Sequence, residues 1–275
     1  MIARQLGGYY AHVMQTPWHK LLSISFVFLL FGGPSLRSQA GNTGAMVPAG
    51  TGGVTFVGCK SDGQVGPLDA PTGQSRATDL PATAARRLAY YKAENSVGVL
   101  APRGWHCFST YGSNGSNLFV TPEPMDPKIL FSSGWKGFAG PAIQIAVADG
   151  GTSGRFQVAR VVARVFPGHR QFVRSVIAEG IEPASSFPAG PYPHDKLTYR
   201  DKNIVEFETP ANSVGLGTDS RLQPNSSPIR GVAILLSDAD TSLVQLSARL
   251  PAQDRDMYST IVKEVERGRS EPQSH

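Results

Sequence analysis

Charge is scarce in this chain. Only 17% of its 275 residues are Asp, Glu, Lys or Arg. A coiled coil or an acidic disordered tail needs far more, so both are excluded. Cysteine is scarcer still, at two residues, Cys59 and Cys107. They are not a C-x-x-C pair and no ligand-spaced histidines accompany them, which argues against a zinc site. The sequence has no P-loop, no G-x-G-x-x-G fingerprint, no H-E-x-x-H and no complete G-x-S-x-G elbow. Nothing therefore implies a cofactor or a metal. Gly (30) and Pro (21) together stay below one-fifth of the chain. That excludes collagen and falls short of a low-complexity composition, while 40% hydrophobic residues supply a core.

Acidic residues are also missing from the first forty positions, which carry Arg4, Lys20 and Arg37. Within them Leu21 to Phe31 is an unbroken apolar run. At eleven residues it is too short to span a bilayer of about 30 Å as a helix. It suits the h-region of a secretory signal peptide. Gly32, Gly33 and Pro34 break it, and Ser38-Gln39-Ala40 has the small-x-small pattern of a cleavage site. The expectation is a signal peptide over 1–40, cleaved after Ala40, with an uncleaved anchor as the alternative and Met14 as an alternative start. A lipid anchor at Cys59 is disfavoured, because that cysteine lies far beyond the apolar run. Cleavage takes three of the five net positive charges with it. The remainder is close to neutral, so no nucleic-acid partner is expected. Export to the periplasm or beyond makes a Cys59–Cys107 disulfide the simplest use of the cysteines. In the chain-entropy account it contributes about 3–4 kcal/mol.

After a Gly-rich lead-in over 41–53, one domain over 54–268 is expected, with a frayed polar tail over 269–275. Strands are expected at 54–59, 97–100, 105–111, 117–120 and 142–148. Ser61 to Pro81 reads as a long loop, and Ala82 to Glu94 as a helix with Pro81 at its start. Asn114-Gly115 signals a hairpin with a type I′ turn. Helices follow over 153–166, with Ser153 as N-cap, and over 171–179, ended by Gly180. Strand pairs are expected at 197–199 with 204–208 and at 229–236 with 243–250. A last helix spans 254–267. Short hairpins with a few helices indicate α+β, a single domain with a mainly antiparallel sheet and flanking helices.

Candidate chemistry is thin. His106 beside Cys107 is not a pair, because neighbours on a strand point to opposite faces. Trp105 and His106 remain candidate ligand contacts. Ser153, after Gly151-Thr152, is a candidate nucleophile or anion cradle at a helix start. His194-Asp195 is a candidate acid/base pair in a Pro-rich loop. Asp238/Asp240 and Asp254/Asp256 read as turn and helix-start residues. Five arginines (155, 160, 164, 170, 174) and no acid lie between Asp149 and Glu179. Arg160 and Arg164 are the candidate contacts for an anionic envelope component or a protein partner.

The segments GCKSDGQVGPL (58–68), RRLAYYKAE (86–94), GVLAPRGWHCFSTYGSNGS (98–116) and VEFETPANSVGLGT (205–218) carry a resemblance. With the closing GVAILL and LVQLSARLP, they make the chain similar to a group of uncharacterised exported bacterial proteins. The resemblance implies export and one compact domain, and it brings no catalytic residues with it. The functional expectation is a non-enzymatic envelope domain that binds a ligand or partner. The alternative is a secreted hydrolase using Ser153 or the His194-Asp195 loop.

Overall fold

The computed structural model describes residues 53–237 and 240–268. The expected signal peptide, nearly all of the lead-in, Asp238 and the tail lie outside them. The strands are β1 (Gly53–Gly58), β2 (Lys60–Gly63), β3 (Arg76–Ala77), β4 (Leu88–Lys92), β5 (Val99–Pro102), β6 (His106–Gly112), β7 (Gly115–Thr121) and β8 (Ala142–Ala148), followed by β9 (Lys196–Asp201), β10 (Ile204–Thr209), β11 (Ile229–Ser237) and β12 (Thr241–Arg249). The helices are α1 (Ala82–Arg87), α2 (Pro127–Leu130), α3 (Arg155–Val165), α4 (Arg170–Ala178) and α5 (Tyr258–Gly268).

Eight strands form a large sheet in the order β2-β6-β7-β8-β12-β11-β10-β9, and four form a small one, β3-β1-β4-β5. Pairing is antiparallel except for β1 with β4 and β2 with β6. The fold is α+β, mainly antiparallel, in one compact unit.

Alternation along the large sheet's strands decides what each face meets. Ile143 and Ile145 of β8, Val232 and Ile234 of β11, and Leu246 of β12 point into a core shared with the small sheet (Leu88, Tyr91, Leu100) and with Ile261 and Val265 of α5. The opposite face is covered at one end by α3 and α4, where Val158, Val162 and Phe166 pack on Ala148, Leu235 and Leu243. At its other end Phe138 and Leu222 pack on Ala142 and Ile229. Between these apolar ends the same face carries Gln144, Gln245 and Ser247.

Several expectations change. The helix over 82–94 is only α1; from Leu88 the chain is strand β4, with Leu88, Ala89 and Tyr91 fully buried. Pairing on both edges, to β1 and β5, overrides the helix-forming Ala-rich start. The loop over 61–81 contains β2 and β3, which pair with β6 and β1. The hairpin turn is Ser113-Asn114, since Gly112 pairs with Gly115. Only Gly115 there has a positive φ, at 128°, so the turn is not type I′. The last helix begins as a 3-10 segment over Ala252–Met257. Asp254 and Asp256 in that segment grip Arg87 instead of serving the helix end.

Candidate functional site

The residue row across the large sheet's open face is legible one strand at a time. β8 reads AIQIAVA and β12 reads TSLVQLSAR. Each interrupts an apolar run with a glutamine, and Gln144 and Gln245 are 4% and 5% exposed. Buried amides must find partners. Gln144 Nε2 donates to Asn117 Oδ1 of β7 (2.8 Å), and its Oε1 accepts from the Arg221 backbone N–H (2.7 Å). Gln245 Nε2 donates to the Leu216 carbonyl (3.1 Å). The floor thus fixes the segment 216–221 that stands over it.

A second anchor holds the same segment. Asp195 accepts from Thr209 Oγ1 and from the Leu216 backbone N–H, both at 2.7 Å. Thr209 Oγ1 in turn accepts from the Gly217 N–H (2.9 Å). Gly215 permits this approach, because a Cβ there would sit 2.0 Å from Asp195 Oδ1. Both Asp195 oxygens are engaged and His194 is exposed, so this pair positions a wall and is not an acid/base couple.

Above the floor lies a cavity of about 410 Å³. Gln157, Arg160, Val161 and Arg164 of α3 form one wall, Ser186, Pro188 and Tyr192 another, and Asp219, Ser220 and Arg221 a third, with Asn114 at the rim. Three guanidinium groups therefore share one cleft. Arg160 pairs with Glu182 (2.7 Å). Arg164 lies over the Tyr192 ring (4.1 Å) and donates to the Gly190 carbonyl (3.2 Å). Arg221 lies over the Trp135 ring (5.7 Å) and has no carboxylate at ion-pair distance among the described residues. Tyr192 Oη donates to Asp219 Oδ1 (2.6 Å).

Loss of hydration against the cleft wall raises the Asp219 pKa above the usual carboxylate value. The Tyr192 hydrogen bond and Arg164 oppose that shift, and Asp195 adds to it. The same loss of hydration, followed by the neighbouring Asp219, pushes the Tyr192 phenol up to about 12. The carboxyl and phenol thus share one proton donor and acceptor across the cleft wall, and Arg164 faces both.

Of the residues singled out from sequence, Arg160 and Arg164 line this cleft and the others do not. Arg155 pairs with Glu179 outside it (2.7 Å), and Arg170 and Arg174 are exposed on α4. Ser153 is exposed, and the N-cap of α3 is Gly154, not Ser153. No side chain caps α3; Thr152 Oγ1 holds the turn before it, accepting from the Gly154 N–H (3.2 Å) and donating to the Asp149 carbonyl (3.0 Å). Trp105 and His106 lie at the opposite end of β6 from the Asn114 turn. Trp105 is half-buried against the core between the sheets, and His106 is exposed.

Cys59 and Cys107 are joined in a disulfide, with Cα atoms 5.4 Å apart. Such a bond is compatible with an extracellular protein. Among the described residues no helix is long and apolar enough to cross a membrane. No group of three or more metal-ligating side chains converges among them either. Sequence reasoning missed Asn117, Gln144, Asp219, Arg221 and Gln245. Glutamines at matching places in two otherwise apolar strands were the available signal. No protein-family model, no curated protein and no solved structure matches the chain.

Proposed function

We propose that this is a non-enzymatic binding domain of the bacterial envelope, and that the cleft on the large sheet takes a small polar anion. One observation carries the reading: a floor of buried amides lies under Arg160, Arg164 and Arg221, with one carboxylate, Asp219, facing them. Guanidinium groups recognise carboxylates and phosphates through charge-assisted hydrogen bonds; Arg164 is half-buried, and the exposed Arg160 and Arg221 each contribute at most about 1 kcal/mol after solvent screening. The size fits as well, since small-molecule sites run from about 300 to 1,000 Å³.

The envelope location draws support from the disulfide, from the apolar run with its small-x-small end, and from the resemblance to exported bacterial proteins. A mass beginning at Gly41 in protein recovered from its host is the expected result, and a full-length mass with two free thiols would remove the location.

The binding reading is tested by thermal shift of the full chain against a panel of small anions and their neutral analogues. Anions are expected to raise the melting temperature, and Arg221→Gln to abolish the rise. If every anion leaves the midpoint unchanged, the cleft is not an anion site.

A further inference from the structure

The hydrogen-bonding groups left open in the cleft narrow the ligand further. Asn117 gives its oxygen to Gln144, and its amide N–H groups, in the cleft lining, have no hydrogen-bond partner among the described residues. Gln245 spends an N–H on Leu216, which leaves its oxygen as an acceptor. Gln157 and Asn114 present whole amides, Ser186 presents a hydroxyl, and Asp219 keeps one oxygen beyond its bond from Tyr192. The lining therefore holds both open donors and open acceptors.

The charges are also countable. Arg160 is already matched by Glu182. Among the lining residues Arg164 and Arg221 stand against Asp219, leaving a single positive charge to be met, with Asp195 behind the wall near enough to act on Asp219.

We propose that the cleft is built for a sugar acid, a polyhydroxylated ligand with one carboxylate; this rests on the reading of the cleft as a small-anion site. A hydroxyl donates and accepts at once, so it suits a lining that holds both donors and acceptors. A dicarboxylate only accepts, and would press oxygen against Gln245 Oε1 and Asp219; inorganic phosphate has at neutral pH only one or two hydroxyl donors for the several acceptors of the lining. An amino acid's ammonium suits Asp219, but the zwitterion brings no net negative charge to meet the cleft's remaining positive one. Apolar ligands find little purchase. Val161 and Pro188 are the only aliphatic side chains in the lining, and Arg164 covers the Tyr192 ring. The carboxylate falls to Arg221 and Arg164, and the ring hydroxyls to the amides of the floor and rim.

The test is isothermal titration of the full chain with D-glucuronate, D-galacturonate, D-galactose, inorganic phosphate and L-glutamine. At least one uronate is expected to saturate, with galactose at least tenfold weaker. Arg221→Gln should weaken the uronate at least tenfold and leave galactose unchanged. Arg221 is an exposed side chain, and an unchanged denaturation midpoint for the variant shows that the fold is kept. Arg170→Gln, on α4 outside the cleft, should bind as the parent does. Saturation by phosphate or glutamine with the uronates silent overturns the sugar-acid assignment and keeps the anion site. Galactose binding as tightly as the uronates also overturns it. Silence from all five probes overturns both readings.

Discussion

Arg249, at the end of β12, offers the sharpest test of how the far end of the large sheet is held together. Its side chain is 2% exposed. Nη1 donates to the carbonyls of Phe138 (3.3 Å), Ala139 (3.2 Å) and Gly140 (3.0 Å), and Nη2 donates to that of Gln223. No acid lies at ion-pair distance among the described residues, and burial lowers the guanidinium pKa. The cation is thus solvated by backbone oxygens in place of water. Arg249→Met removes the charge and its desolvation cost but leaves those oxygens behind. Phe138 O also accepts from the Gln223 N–H and Ala139 O from Asn225 Nδ2, so the Gly140 and Gln223 carbonyls are the ones orphaned. Gly140 is exposed, so water can take the place of the guanidinium there, while the half-buried Gln223 carbonyl is left unsatisfied at about 1–3 kcal/mol. For a domain of this size that is a fall of about 5 °C in melting temperature. Arg249→Lys should be at least as damaging, because one ammonium cannot span four carbonyls and still carries a buried charge. A lysine held there has its pKa depressed, so the folded state binds fewer protons than the unfolded chain. The stability of Arg249→Lys should therefore rise with pH below the ordinary lysine value of about 10.4, while Arg249→Met shows no such rise. Urea titrations followed by circular dichroism at two pH values read both effects. A methionine variant with the parent's midpoint and slope would refute the reasoning.

Four further outcomes follow from the geometry. Replacing both cysteines by serine removes a crosslink spanning 48 residues, at about 4 kcal/mol in the chain-entropy account, read as a lower denaturation midpoint. Gly115→Ala places a Cβ 1.9 Å from the Val147 carbonyl at φ 128°; a loss of at least about 3 kcal/mol is expected, and wild-type stability would contradict the turn described. Asp195→Ala strips the Thr209 hydroxyl and the Leu216 N–H of their acceptor, at about 2–3 kcal/mol, and should loosen the cleft wall enough to weaken ligand binding. Asp219 has a raised pKa in the folded state, so its penalty is absent at low pH and grows as pH rises past the ordinary carboxylate range. Asp219→Asn should thus be more stable than the parent at pH 7 and no different at pH 3; equal curves at both would show that the carboxyl is not disfavoured.

Much of the architecture was legible because single strands and helices carry their own periodicity. β8 was bounded to the residue from AIQIAVA, α3 to within two residues from arginines spaced opposite its apolar arc, and α4 to within one residue, from its end at Gly180. The errors fell where partners far along the chain decide. LAYYK has no β-branched residue and follows an Ala-rich start, yet it is a strand because β1 and β5 flank it. KSDG reads as a turn, yet β6 recruits it as an edge strand. For the cleft, Arg160 and Arg164 stood out as unbalanced charge. Arg221 and Asp219 did not, since nothing near them in sequence announces that Gln144 and Tyr192 will receive them.

One extended stretch, residues 53–63, lends its first half to the small sheet and its second half to the large one, and turns from one to the other at Cys59. Two of the pairings it makes are parallel and non-local: Thr55 meets Ala89, and Lys60 meets Phe108; a third, with β3, is antiparallel. Neither β4 nor β6 closes that edge until this early segment has returned to them. Its return therefore depends on loop closures that local hairpins do not need, and such closures are the slow ones. The sulfur–sulfur bond lies at the junction of the two halves, so once formed it holds the crossing point of the stretch beside β6 and shortens the loop that the later pairing must close.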